Sequence, residues 1–112
     1  MDIVTVSERK DREAARKAAA VRGVLERLRV HVAETGNGGR FIVFGSAAAG
    51  AMRHGSDFDV VVDFPPELEV QAWTAVEDAC EDADIPADIR SVSTTEPSFI
   101  EKIMARTVEV IG

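Results

Sequence analysis

The sequence predicts a small α/β domain, a sheet with helices on one face and an open cleft on the other. Three observations carry this. Short apolar runs of strand length, at Phe41–Phe44, around Val60–Val62 and at Ala87–Val92, alternate with stretches of helical period. Turn-forming residues separate them: Gly36-Asn37-Gly38-Gly39, Pro65-Pro66 and Asp84-Ile85-Pro86. The chain of 112 residues suffices for one core and is too short for a second.

The elements follow in order. Ala14, Ala18, Val21, Leu25, Leu28 and Val32 step by four, three, four, three and four, which predicts one long helix from residue 8 to about 34. Ser7 is the expected N-cap and the Gly36–Gly39 run the stop. Such a helix is about 40 Å long, more than one sheet face requires, so its N-terminal half is expected to project. Phe41–Phe44 reads as the first strand and ends at Gly45-Ser46, where a short helix of small residues begins. Asp57-Phe58-Asp59 heads the second strand, with Phe58, Val60 and Val62 inward. Glu67 to about Glu81 reads as an amphipathic helix, Ala87–Val92 as a third strand, and Pro97 opens a helix with Phe99, Ile100 and Ile103 inward. Thr107–Ile111 reads as a last short strand.

Composition narrows the function classes. Hydrophobic residues at 46% and charged residues at 29% are those of an ordinary globular domain, and no apolar run is long enough to span a bilayer. The first residues lack the basic and apolar segments of a signal peptide. The single cysteine, Cys80, forms no internal disulfide and falls in a helical pattern as a packing residue; a cytoplasmic protein is expected. The net charge of −7 argues against broad nucleic-acid binding. That charge is uneven: residues 1–40 carry nine Lys/Arg against six Asp/Glu, whereas residues 41–112 carry four against fourteen. A strongly acidic second half suits metal ions better than a nucleic-acid template.

The segment FIVFGSAAAGAMRHGSDFDVVVDF (41–64) carries the chemistry. A glycine-serine turn opening a helix presents backbone N–H groups that suit phosphate. Asp57 and Asp59, one residue apart on a strand, point to the same face, and carboxylate pairs hold Mg²⁺ together with substrate phosphates and water. Arg53 is the cation between the two halves and is expected on a phosphate; Ser56 is expected to cap or orient the Asp57 turn. Asp63 shares the face but lies at the far end of the strand, as a loop or cap residue. His54 reads as a loop residue, and His31 has no partner at metal-ligand spacing.

The string GSAAAGAMRHGSDFD resembles the nucleotidyltransferase superfamily with a polymerase-β-like core, and within it the minimal nucleotidyltransferases that pair with HEPN toxins. Gly45, Ser46, Ala48, Gly50, Arg53, Ser56, Asp57 and Asp59 fall at the positions of that pattern. The resemblance implies a small mixed sheet with helices on one face over residues 21–112, with residues 1–20 as an N-terminal helical extension. It implies a third carboxylate at Asp88, at the start of the strand after the helix that follows Asp-x-Asp. It further implies Gly45 and Ser46 on the β- and γ-phosphates, and two Mg²⁺ ions, with Mn²⁺ as a substitute, held by Asp57, Asp59 and Asp88. The chain departs from the pattern at Ala47 and Ala49, where the subgroup often carries arginines, and this lowers the expected nucleotide affinity.

The activity implied is transfer of a nucleoside monophosphate, AMP from ATP, to a hydroxyl on a partner protein such as a HEPN toxin. The chain has no tyrosine, so it cannot be its own tyrosine acceptor. Two other readings stand beside this one. The first is a binding module that neutralises its partner by contact, favoured by Ala47, Ala49 and the heptad-like spacing of the N-terminal stripe, which also suits self-association. The second is transfer to a small molecule of aminoglycoside type, whose pocket this short chain builds only across a dimer.

Overall fold

The computed structural model describes residues 5–53 and 55–112, so His54 and the first four residues of the expected extension lie outside the described residues. Helix α1 runs from Val6 to Glu34. Its N-cap is Thr5, two residues before the expected Ser7. Thr5 accepts from the Glu8 backbone N–H while the Glu8 carboxylate accepts from the Thr5 N–H, a reciprocal pair that Ser7 has no partner to make. Val21, Val24, Leu25, Leu28 and Val32 are buried, whereas Ala14 and Ala18 are exposed. The residue 20/21 boundary falls within this one continuous helix.

Four strands follow: β1 (Arg40–Phe44), β2 (Phe58–Asp63), β3 (Ala87–Ser91) and β4 (Glu109–Ile111), in the sheet order β3-β2-β1-β4. The β1–β2 and β1–β4 pairs are antiparallel and β2–β3 is parallel, so the sheet is mixed. Helix α2 (Gly45–Ala49) leaves β1 without an intervening loop, α3 (Pro66–Asp82) makes the crossover to β3, and α4 (Pro97–Met104) leads to β4. Proline at the start of α3 and α4 suits the first helical turn, which has no use for its missing N–H.

The larger core lies between α1 and α3 and the sheet face formed by Phe41, Val43, Phe58, Val60 and Val62. Cys80 packs there, and burial pushes its thiol pKa up to about 11 against the pull of Arg27. The other sheet face differs from the expected layering. Helix α4 sits on it: Ile103 packs against Ile42 and Val61, with Phe44, Phe99 and Ile100 alongside. The reason is in β2, where Val60-Val61-Val62 is apolar without alternation and both faces must be covered. The open cleft is thereby confined to the end of that face where Phe44 and Asp59 emerge. Among the described residues, no helix is long and apolar enough to cross a membrane.

Candidate active site

Phe44, the last residue of β1, pairs with Asp59 on β2, and Asp59 is in register with Asp88 on β3. Strand alternation therefore puts Phe44, Asp59 and Asp88 on the α4 side of the sheet, in a row across three strands. A cleft of about 490 Å³ opens there, lined by Phe44, Gly45, Asp59, Phe99, Lys102 and Arg106 among others. Its floor is the sheet end and its far wall is α4 with the residue turn after it.

Gly45 fixes how close the two halves of the motif come. Its φ of +67° is in the left-handed region, and a Cβ at this position would run into the Asp59 carboxylate. Glycine lets the strand-to-helix turn lie directly on Asp59, where a larger residue would push the carboxylate aside. Asp59 is half-buried, and its pKa is raised above the ordinary carboxylate range. Burial is the main cause; the Asp88 and then the Asp57 carboxylates add to it, and Arg90 opposes it. Asp59 thus feels both neighbouring carboxylates.

Asp57 stands just before β2 and is exposed, so the expectation that both acids share the strand holds only for Asp59. Asp88 is half-buried and faces Arg90, whose Nη2 lies 3.8 Å from Oδ2. The Arg90 guanidinium in turn lies 4.6 Å above the Phe99 ring. The donor set fits a hard divalent cation in chemistry, since all three groups are carboxylates and their mutual repulsion favours a cation between them. The carboxylates are neighbours without being gathered: among the described residues, no three His, Cys, Asp or Glu side chains stand close enough together to hold a metal ion.

The other expected phosphate ligands are spread wider. The Ser46 hydroxyl lies 3.2 Å from the Met52 sulfur, turned away from the cleft-lining set. Ser56 closes its own turn: its hydroxyl accepts from the Arg53 N–H at 3.0 Å and its N–H donates to the Arg53 carbonyl at 3.0 Å. Arg53 lines a separate groove with Lys10, Glu13, Ala14 and Met52 beside α1. Ala47 is buried in the larger core, whereas Ala49 lines the cleft, so only one of the two arginine positions of the resembled pattern faces the site. Asp63 is bound to Arg40 at 2.7 Å at the far end of β2.

Lys102 and Arg106 were not singled out by the sequence. Their signal was a spacing of four residues at the end of an amphipathic helix, placed among only four Lys/Arg in residues 41–112.

The model of the nucleotidyltransferase domain family matches residues 25–110, from the C-terminal part of α1 into β4. The chain belongs to the nucleotidyltransferase domain family. A comparison with curated proteins finds no match. Membership supports a nucleotide substrate and nucleotidyl transfer as the general activity, in a family that works with nucleoside triphosphates and divalent metals. The mixed sheet and its helices fit the polymerase-β-like core.

Proposed function

We propose that this nucleotidyltransferase transfers AMP from ATP, with Mg²⁺, to a hydroxyl on a partner protein of the HEPN-toxin kind, and so acts as an antitoxin. The observation that carries the reading is the stacking of Gly45 directly on Asp59, in register with Asp88, at the mouth of a cleft of nucleotide size. Asp57 and Asp59 would hold one divalent ion and Asp88 would join them for a second; such ions, when bound, offset phosphate charge and acidify the acceptor hydroxyl. Gly45 keeps the turn close enough for its backbone to meet the phosphates that Asp59 faces. The acceptor oxygen bonds to the α-phosphorus, the α–β bridging bond breaks, pyrophosphate leaves, and the hydroxyl proton passes to solvent. The chain's own hydroxyls are serine and threonine only, which is consistent with an acceptor on a second protein when tyrosine is the target.

The test is transfer of label from ATP marked on its α-phosphate, with Mg²⁺ and the protein encoded beside this gene. Wild type is expected to label that protein and release pyrophosphate, and Asp57→Asn with Asp59→Asn to do neither. The variant should still fold. Because the folded pKa of Asp59 is raised, its ionisation opposes folding: this penalty is absent below the unfolded pKa near 4 and complete above the folded one. Without metal, the variant should therefore equal wild type or exceed it by about 1 kcal/mol at pH 7, after solvent screening. Full transfer by the variant overturns the catalytic assignment. The contact-only antitoxin is the second reading, favoured by the ungathered carboxylates, and it predicts neutralisation of the partner without label.

A further inference from the structure

The cleft is divided by charge. One side carries Asp59, backed by Asp57 and Asp88; the other carries Lys102, in the last turn of α4, and Arg106, two residues beyond its end. Residues 41–112 contain fourteen acidic side chains and only four cations, Arg53, Arg90, Lys102 and Arg106. Lys102 and Arg106 both line this one cleft, and Arg90 stands beside it on Phe99 and Asp88. Neither Lys102 nor Arg106 has an ion-pair partner among the described residues, whereas Arg27, Arg29, Arg40 and Arg90 all do.

Their placement is also fixed. Ile103 between them is buried against Ile42 and Val61, and Phe99 packs edge-on against Phe44 with ring centroids 5.9 Å apart. Phe99 and Ile103, four apart on α4, anchor the helix on the sheet; Lys102 in its last turn and Arg106 just past its end, whose N–H donates to the Ile103 carbonyl at 3.0 Å, both line the cleft. Two free cations held opposite a carboxylate, in an otherwise acidic surface, form a site for a polyanion that also carries a cation.

We propose that Lys102 and Arg106 bind the polyphosphate chain of the nucleotide and supply the positive charge that Ala49, on the same cleft, lacks. The inference rests on the nucleotidyl-transfer reading and deepens it. Arginine grips phosphate oxygens with two parallel N–H donors, while lysine adds a mobile point charge.

The experiment measures binding of ATP, AMP and inorganic triphosphate, each with Mg²⁺, to wild type, Lys102→Ala, Arg106→Ala, the double variant and Lys102→Arg. Each alanine variant is expected to weaken ATP and inorganic triphosphate about fivefold, with AMP changed about twofold or less. Lys102→Arg should restore binding. Both side chains are exposed, so unfolding midpoints should hold, which separates lost binding from lost structure. Wild-type binding that is unchanged in the double variant overturns this proposal alone. An equal loss for AMP and ATP also overturns it, since the two cations would then meet the nucleoside half. Wild type that binds no nucleoside triphosphate overturns both this proposal and the transfer reading.

Discussion

Replacing Gly45 by alanine tests the contact on which the site is built, and the chain supplies its own control. Gly45 and Gly50 have φ values of +67° and +68°, so alanine meets nearly the same backbone penalty at each. That penalty is about 1–2 kcal/mol, lessened by about 0.5 kcal/mol through the stiffer unfolded chain. At Gly50 nothing lies within 4 Å of the new Cβ, and a net loss of about 1 kcal/mol is expected. At Gly45 the Cβ meets the end of the Asp59 side chain, and turning that carboxylate aside from its rotamer adds about 1 kcal/mol. Gly45→Ala should therefore lose about 1 kcal/mol more than Gly50→Ala in urea unfolding. In an Asp59→Ala background the two losses should converge, because the offending oxygens are gone. Equal losses at the two glycines in the wild-type background would refute the packing of the turn on Asp59. With it would go the argument that Gly45 holds phosphates near that carboxylate.

Ala49→Arg, facing the cleft, should tighten ATP binding by about 1 kcal/mol, whereas Ala47→Arg, facing the core, should destabilise the fold by more than about 2 kcal/mol; isothermal titration and thermal melts read the two. Unchanged ATP affinity in Ala49→Arg would place the phosphates elsewhere. Deleting residues 1–17 should lower self-association or affinity for the protein partner while leaving the unfolding midpoint of the domain, since the buried residues of α1 begin at Val21. The same mass in solution and the same partner affinity after truncation would make the N-terminal turns an overhang only.

The helices and strands were legible because their apolar residues repeat at the periods of their elements. The stripe ending in Leu25, Leu28 and Val32 is the buried side of α1, and Phe58, Val60 and Val62 point where alternation puts them. The position of α4 was harder to read. Its signal was Val61, an apolar residue at an outward position of β2, which asks for cover on the second face. The fates of Ala47 and Ala49 were also readable in principle. Residues two apart on a helix point in nearly opposite directions, so both cannot face one ligand, and α2 turns Ala47 inward. The Ser56 turn and the Ser46–Met52 contact depend on how an irregular loop closes, and no periodicity encodes that.

Asp88 shows how the acidic and basic sides of the cleft bear on each other. Asp88 and Arg90 are two apart on β3, so their side chains share the face that α4 covers, and Arg90 is held there by the Phe99 ring. At 3.8 Å between partly exposed groups, the Asp88–Arg90 pair contributes at most about 1 kcal/mol, little enough for a divalent cation to displace. Arg90 also lowers the pKa of Asp59, partly offsetting the repulsion that Asp88 and Asp57 impose on it. The arginine that offsets this repulsion lies over Phe99 on α4, the helix that carries Lys102. The same helix that closes the second face of the sheet therefore ties the carboxylate wall to the cationic one.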